Sequence, residues 1–117
     1  MDAAIMNGKD LSAGAVAGVT GVKNPVHLAR MVMERSEHVL LSGAGAADFA
    51  KRLNLDFENE EYFFDKFRYD QFQEIRDTDT FQLDHTEKKF GTVGAVALDI
   101  HGNIAAATST GGMTNKR

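Results

Sequence analysis

The chain contains no cysteine, only one proline, and no apolar run near the roughly twenty residues a membrane-spanning helix needs. Without cysteine there is neither a disulfide framework nor a thiolate zinc site, and the cellular compartment is left open on that criterion. The N-terminus shows no basic segment followed by an apolar core, so no signal peptide is visible. We therefore expect a soluble protein, with the cytoplasm the favoured compartment and the periplasm the alternative if a signal peptide lies upstream. Excess positive charge is absent too. The net charge is -4, and no basic stripe is available to neutralise phosphates, which argues against a nucleic-acid partner. What is present is ordinary globular composition: 43% hydrophobic and 26% charged residues in a chain of 117, which excludes disorder and fits one domain.

Local patterns give the organisation. Met1 to Met6 and Leu11 to Val19 are apolar runs flanking Asn7-Gly8, which predicts a hairpin closed by a tight turn. Asn24-Pro25 opens a helix, with Asn as N-cap and the proline at the first helical position, where its missing N–H costs nothing. Val26, Leu28, Ala29, Val32 and Met33 form its apolar stripe. A second helix is expected over 42–53, burying Ala46, Phe49, Ala50 and Leu53. The spacing of Phe64, Phe67, Phe72 and Ile75 approaches helical period, predicting a third over 61–76. Phe57, Phe63, Phe64, Phe67, Phe72, Phe81 and Phe90 read as local core and linker anchors, and Asp77 to Lys89 reads as an exposed linker.

Downstream, Thr92-Val93-Gly94-Ala95-Val96-Ala97-Leu98 is small and apolar on both alternating faces, the pattern of a strand covered on both sides. Ile104 to Thr110 reads likewise until it turns polar. The intervening Asp99-Ile100-His101-Gly102-Asn103 suits a type I turn closed by a glycine bulge. Counting outward from an Asp99–Asn103 pair places Thr92 directly opposite Thr110. Directly opposed side chains share a face, with Cβ atoms about 4.5–5.5 Å apart, so the two hydroxyls come within hydrogen-bond reach. A slip of one residue would break the pairing.

A threonine becomes nucleophilic when a base takes its proton, and one solution is its own α-amine, freed by making it an N-terminus. That amine has a pKa of about 7.7–8.0, suited to base work near neutral pH. Gly91, lacking a Cβ, lets the preceding peptide adopt unusual geometry and lets the Thr92 hydroxyl approach its carbonyl. On residue types alone, two ordinary strand threonines remain the commoner explanation.

Gly91-Thr92-Val93-Gly94-Ala95-Val96-Ala97-Leu98-Asp99, Gly102-Asn103, and Ala106-Ala107-Thr108-Ser109-Thr110-Gly111-Gly112-Met113-Thr114-Asn115-Lys116 resemble the plant-type L-asparaginase and isoaspartyl peptidase family of N-terminal nucleophile hydrolases. Met1 to Gly8, Leu11 to Ala17, Asn24-Pro25-Val26, Ala29-Arg30 and Val32-Met33-Glu34 are similar to it as well. The resemblance implies an α+β fold, part of an αββα sandwich of antiparallel strands with covering helices. It implies Thr92 as nucleophile, Thr110 as its hydrogen-bond partner, and Gly91-Thr92 as a self-cleavage bond. It also implies asparagine or β-aspartyl dipeptides as substrates, no cofactor, and a homodimer of αβ units. Residues 1–91 would then form the C-terminal part of an α subunit, with its linker at 77–91, and 92–117 the start of a β subunit. The family's first strand and asparagine-containing loop would precede Met1. Its Gly-Arg-x-Gly-Asp-Ser-Pro segment, whose Arg and Asp hold the substrate's α-carboxylate and α-amine, and an oxyanion-binding Thr-Gly would follow Arg117. The substrate-binding residues are thus expected outside these residues, and 1–117 by itself is expected to be inactive. A non-catalytic truncated homologue and a glycosylasparaginase-type amidase are the alternatives.

Other features carry less. Gly43-Ala44-Gly45 precedes a helix, but a dinucleotide loop would want glycine where Asp48 stands. His27, His38, His85 and His101 lack metal-ligand spacing, so no metal site is expected. Asp2 reads as a buried, hydrogen-bonded strand carboxylate, the favoured reading, or as a structural member of the site region.

Overall fold

A computed structural model describes residues 1–76 and 91–112. The predicted linker, with Phe81, His85 and Phe90, and the terminal Met113 to Arg117 lie outside the described residues. Strands β1 (Asp2–Asn7), β2 (Ala13–Ala17), β3 (Leu40–Ser42), β4 (Thr92–Leu98) and β5 (Ile104–Thr110) form one five-stranded sheet in the order β3-β2-β1-β5-β4. Helices α1 (Pro25–Arg35), α2 (Gly43–Arg52), α3 (Glu60–Phe63) and α4 (Lys66–Ile75) complete a mixed α+β architecture. The sheet is not wholly antiparallel as expected: β3 runs parallel to β2, joined to it by the α1 crossover.

The first helix forms where its caps predict. The Asn24 side chain accepts the N–H of His27 at 3.0 Å, and Pro25 takes the first turn. Leu28, Ala29 and Val32 point into the core with Ala3, Val16, Val19 and Val22, and α2 adds Ala46, Phe49 and Ala50. Close approach of α1 to the sheet depends on Gly14, where a Cβ would stand 2.1 Å from the Ala29 carbonyl oxygen and 2.6 Å from the Met33 nitrogen.

Several expectations change. The first hairpin is not closed by a two-residue Asn7-Gly8 turn, and β2 starts only at Ala13. The loop runs from Asn7 to Ser12, whose backbones pair at 2.9 Å. Side chains shape this loop: Asn7 accepts Lys9 N–H at 3.1 Å and Asp10 accepts Ser12 N–H at 3.0 Å. Leu11, with φ 62°, takes the left-handed position. The 61–76 helix is two helices, because Asp65 caps α4 by accepting the Arg68 N–H at 2.9 Å. Phe64 and Phe67 of this stretch are not core anchors, being 60% and 53% exposed, whereas Phe63 is half-buried. Nor is β4 covered on both faces: Val93 and Val96 are 68% and 81% exposed, because the helices pack over the other end of the sheet.

Gly14→Ala is expected to destabilise the fold by about 1–3 kcal/mol through overpacking against the α1 backbone. Gly45→Ala, whose added Cβ meets nothing within 4 Å, is expected to be neutral or stabilising within α2. Denaturant midpoints measure both, and an unchanged Gly14→Ala midpoint contradicts the close helix–sheet contact.

Candidate active site

The site begins with a turn. Asp99 N–H donates to Asn103 carbonyl at 3.0 Å and Gly102 N–H donates back to Asp99 carbonyl at 3.2 Å, with Gly102 at φ 83°. The Asp99 carboxylate accepts the N–H of His101 at 2.8 Å, the N–H of Asn103 at 2.9 Å and the Asn103 side-chain amide at 2.7 Å. These bonds, the Asn103 side chain first, hold the Asp99 carboxyl below its ordinary pKa. From this turn the register runs Leu98 with Ile104, Val96 with Ala106, and Thr92 with Thr110, as the sequence predicts.

At the far end the two threonines adopt different environments. Thr92 is exposed and Thr110 half-buried. The Thr110 hydroxyl donates to the Gly91 carbonyl oxygen at 2.6 Å and accepts the Gly112 N–H at 3.0 Å. Its hydrogen is thus aimed at the carbonyl of the Gly91–Thr92 peptide bond, rather than at the Thr92 hydroxyl. Because Thr110 also opposes Asp2 of β1, Asp2, Thr110 and Thr92 form one row across three strands. Alternation puts this row on the face opposite α1, since the Gly14 position that touches α1 is in register with Ile5, Ala107 and Ala95. Asp2 accepts the Gly18 N–H at 2.8 Å and is only half-buried, so it is hydrogen-bonded as expected but not fully enclosed.

A cavity of about 580 Å³ at this end of the sheet is lined by Lys23, Pro25, Tyr62 and Phe63 together with the Gly91–Thr92 segment. Sequence reasoning missed the first group. Lys23 and Tyr62 arrive there because the backbones of Lys23 and Asp56 pair at 3.0 Å and those of Glu58 and Gly21 at 2.9 Å. Lys23 is engaged with Glu58 at 2.9 Å, which raises its pKa, and stands 5.5 Å from the Tyr62 ring centre. Only the 3.6-residue and two-residue periods are readable locally, and neither signals such a bridge. Among the described residues no group of three or more His, Asp or Glu is placed to hold a metal ion, and His27, His38 and His101 stay apart and exposed.

Comparison with known proteins bears on this arrangement. The Asparaginase_2 family model, described as asparaginase, matches residues 1–117. The chain belongs to this family. It is 50% identical over 122 residues to the isoaspartyl peptidase of Escherichia coli K12, covering 99% of this chain and 38% of that protein. Identity is 51% over 122 residues to the isoaspartyl peptidase of Salmonella typhimurium, covering 99% and 39%. To the human isoaspartyl peptidase/L-asparaginase it is 46% over 116 residues, covering 99% and 38%. The chain thus spans about two-fifths of the length of the curated relatives it matches. Among the described residues no helix is long and apolar enough to cross a membrane.

The Asp99 turn that sets the asparaginase-family hairpin is expected to weaken in acid. Its folded-state pKa lies below the unfolded value, so its stabilisation is complete above the ordinary aspartate range and is lost as pH falls through the depressed value. An NMR carboxyl titration is expected to give an Asp99 midpoint below that of a reference peptide, and Asp99→Asn is expected to remove this pH dependence of the hairpin.

Proposed function

We propose that the complete protein is an amidohydrolase of the isoaspartyl peptidase/L-asparaginase type, matured by cleavage of its own Gly91–Thr92 bond. The observation that carries this reading is the 2.6 Å hydrogen bond from the Thr110 hydroxyl to the Gly91 carbonyl oxygen. Attack of the Thr92 hydroxyl oxygen on the Gly91 carbonyl carbon places negative charge on that oxygen, where a donor already points. The C–N bond then breaks, the hydroxyl proton passes to nitrogen, and Gly91 is left as an ester of Thr92. Water hydrolyses the ester, leaving a Gly91 carboxylate and Thr92 with a free hydroxyl and α-amine.

In the matured protein Thr92 is the nucleophile and its amine the base. The amine takes the hydroxyl proton as oxygen attacks the side-chain amide of asparagine or a β-aspartyl dipeptide, and passes it to the departing ammonia or amine. Water then releases aspartate from the acyl ester. The names of the relatives support both substrate classes. The exposed apolar faces of β4 and β5 support a second layer against this sheet, giving the αββα sandwich, and the family resemblance supports a dimer of αβ units.

Mass spectrometry of the complete wild-type protein is expected to find a fragment beginning at Thr92, with ammonia released from asparagine. Thr92→Ala is expected to stay uncut and inactive. Removing one such donor costs about 10²–10³ in rate, so Thr110→Val is expected to slow cleavage by that factor in a gel time course. A wild-type protein that stays uncut with Thr92 intact sinks the proposal.

A further inference from the structure

We propose that Asp2 is a positioning residue that takes over the Thr110 hydroxyl once the Gly91–Thr92 bond is cut; this rests on the function proposed above. In the uncut chain the hydroxyl spends its one hydrogen on the Gly91 carbonyl and accepts from Gly112 N–H. Cleavage turns Gly91 into a chain end no longer tethered to Thr92. The Thr110 hydrogen then needs another acceptor. Two residues stand directly beside Thr110 on the same face: Thr92 on β4 and Asp2 on β1.

Asp2 is the stronger acceptor, because a hydrogen bond to a carboxylate is roughly twice as strong as one between neutral groups. Directly opposed Cβ atoms lie about 4.5–5.5 Å apart, so rotation about the Thr110 side chain brings hydroxyl and carboxylate together. The Gly18 N–H at 2.8 Å occupies Oδ1 and fixes the carboxylate, and among the described residues no hydrogen bond occupies Oδ2. With its hydrogen turned to Asp2, the Thr110 oxygen presents a lone pair to Thr92. It thereby accepts from the Thr92 hydroxyl or ammonium and holds the nucleophile in place. One hydroxyl thus serves two reactions: it donates to the Gly91 carbonyl during maturation and accepts from Thr92 during turnover.

The two roles separate in Asp2→Asn, whose amide oxygen still accepts from Gly18. In the complete protein self-cleavage is expected to proceed within about twofold of wild type, while kcat for asparagine falls by about tenfold or more with KM little changed. Thermal unfolding of the cut protein checks that the Gly18 contact survives. Should Asp2→Asn not fold, Asp2→Ser keeps an acceptor near Gly18 and carries the same expectation. Equal loss of cleavage and turnover, or unchanged turnover, overturns the role of Asp2. A wild-type protein that neither cuts itself nor hydrolyses asparagine instead overturns the function on which it rests.

Discussion

The antiparallel ladder between β1 and β5 is the constraint on which the rest of the site depends. It joins the start of the described chain to its end, pairing Asp2 through Asn7 with Thr110 through Ala105. Gly8 extends the seam by donating to the Ile104 carbonyl at 2.7 Å, and a Cβ there would stand 2.5 Å from that oxygen. A two-stranded hairpin alone is marginal in water. Seated on β1, the β4–β5 hairpin becomes part of a sheet whose other end is held by a packed core, and the Asp2–Thr110–Thr92 row comes into existence.

The sheet is therefore divided in character. Its β1–β2–β3 end is covered by α1 and α2 around Leu28, Val32, Val16 and Phe49. Its β4–β5 end carries small apolar side chains that remain exposed. Precision at that end comes from hydrogen bonds rather than packing. The Asp99 carboxylate fixes one end of the hairpin, and the Thr110 hydroxyl ties the other to Gly91. A one-residue slip would put Thr92 and Thr110 on opposite faces, and the turn chemistry opposes that slip.

Features whose signals lie within a few residues were legible in the sequence. Asn24-Pro25 marked α1, the 99–103 turn marked the hairpin and its register, and the Gly91-Thr92 motif marked the family. Features depending on distant partners were not. Strand β3 is three residues long and exists because the α1 crossover lays Leu40 to Ser42 beside β2. Gly8 looked like a turn residue, whereas its missing side chain admits the Ile104 carbonyl. The break within 61–76 is local by contrast: the aromatic spacing approaches a helical period across it, and the Asp65 cap, three residues before Arg68, restarts the helix there.

The sequence by itself determined the threonine pair, because the turn at Asp99 and a strand period of two leave only one register that opposes Thr92 to Thr110. Only the tertiary structure decided what those hydroxyls face. The Thr110 hydrogen points to the Gly91 carbonyl, and Asp2, far away along the chain, becomes its neighbour across the β1–β5 ladder. The reason is physical: a local turn sets which residues of one hairpin oppose each other. Which third strand lies alongside is settled by where the whole chain finds its remaining backbone partners.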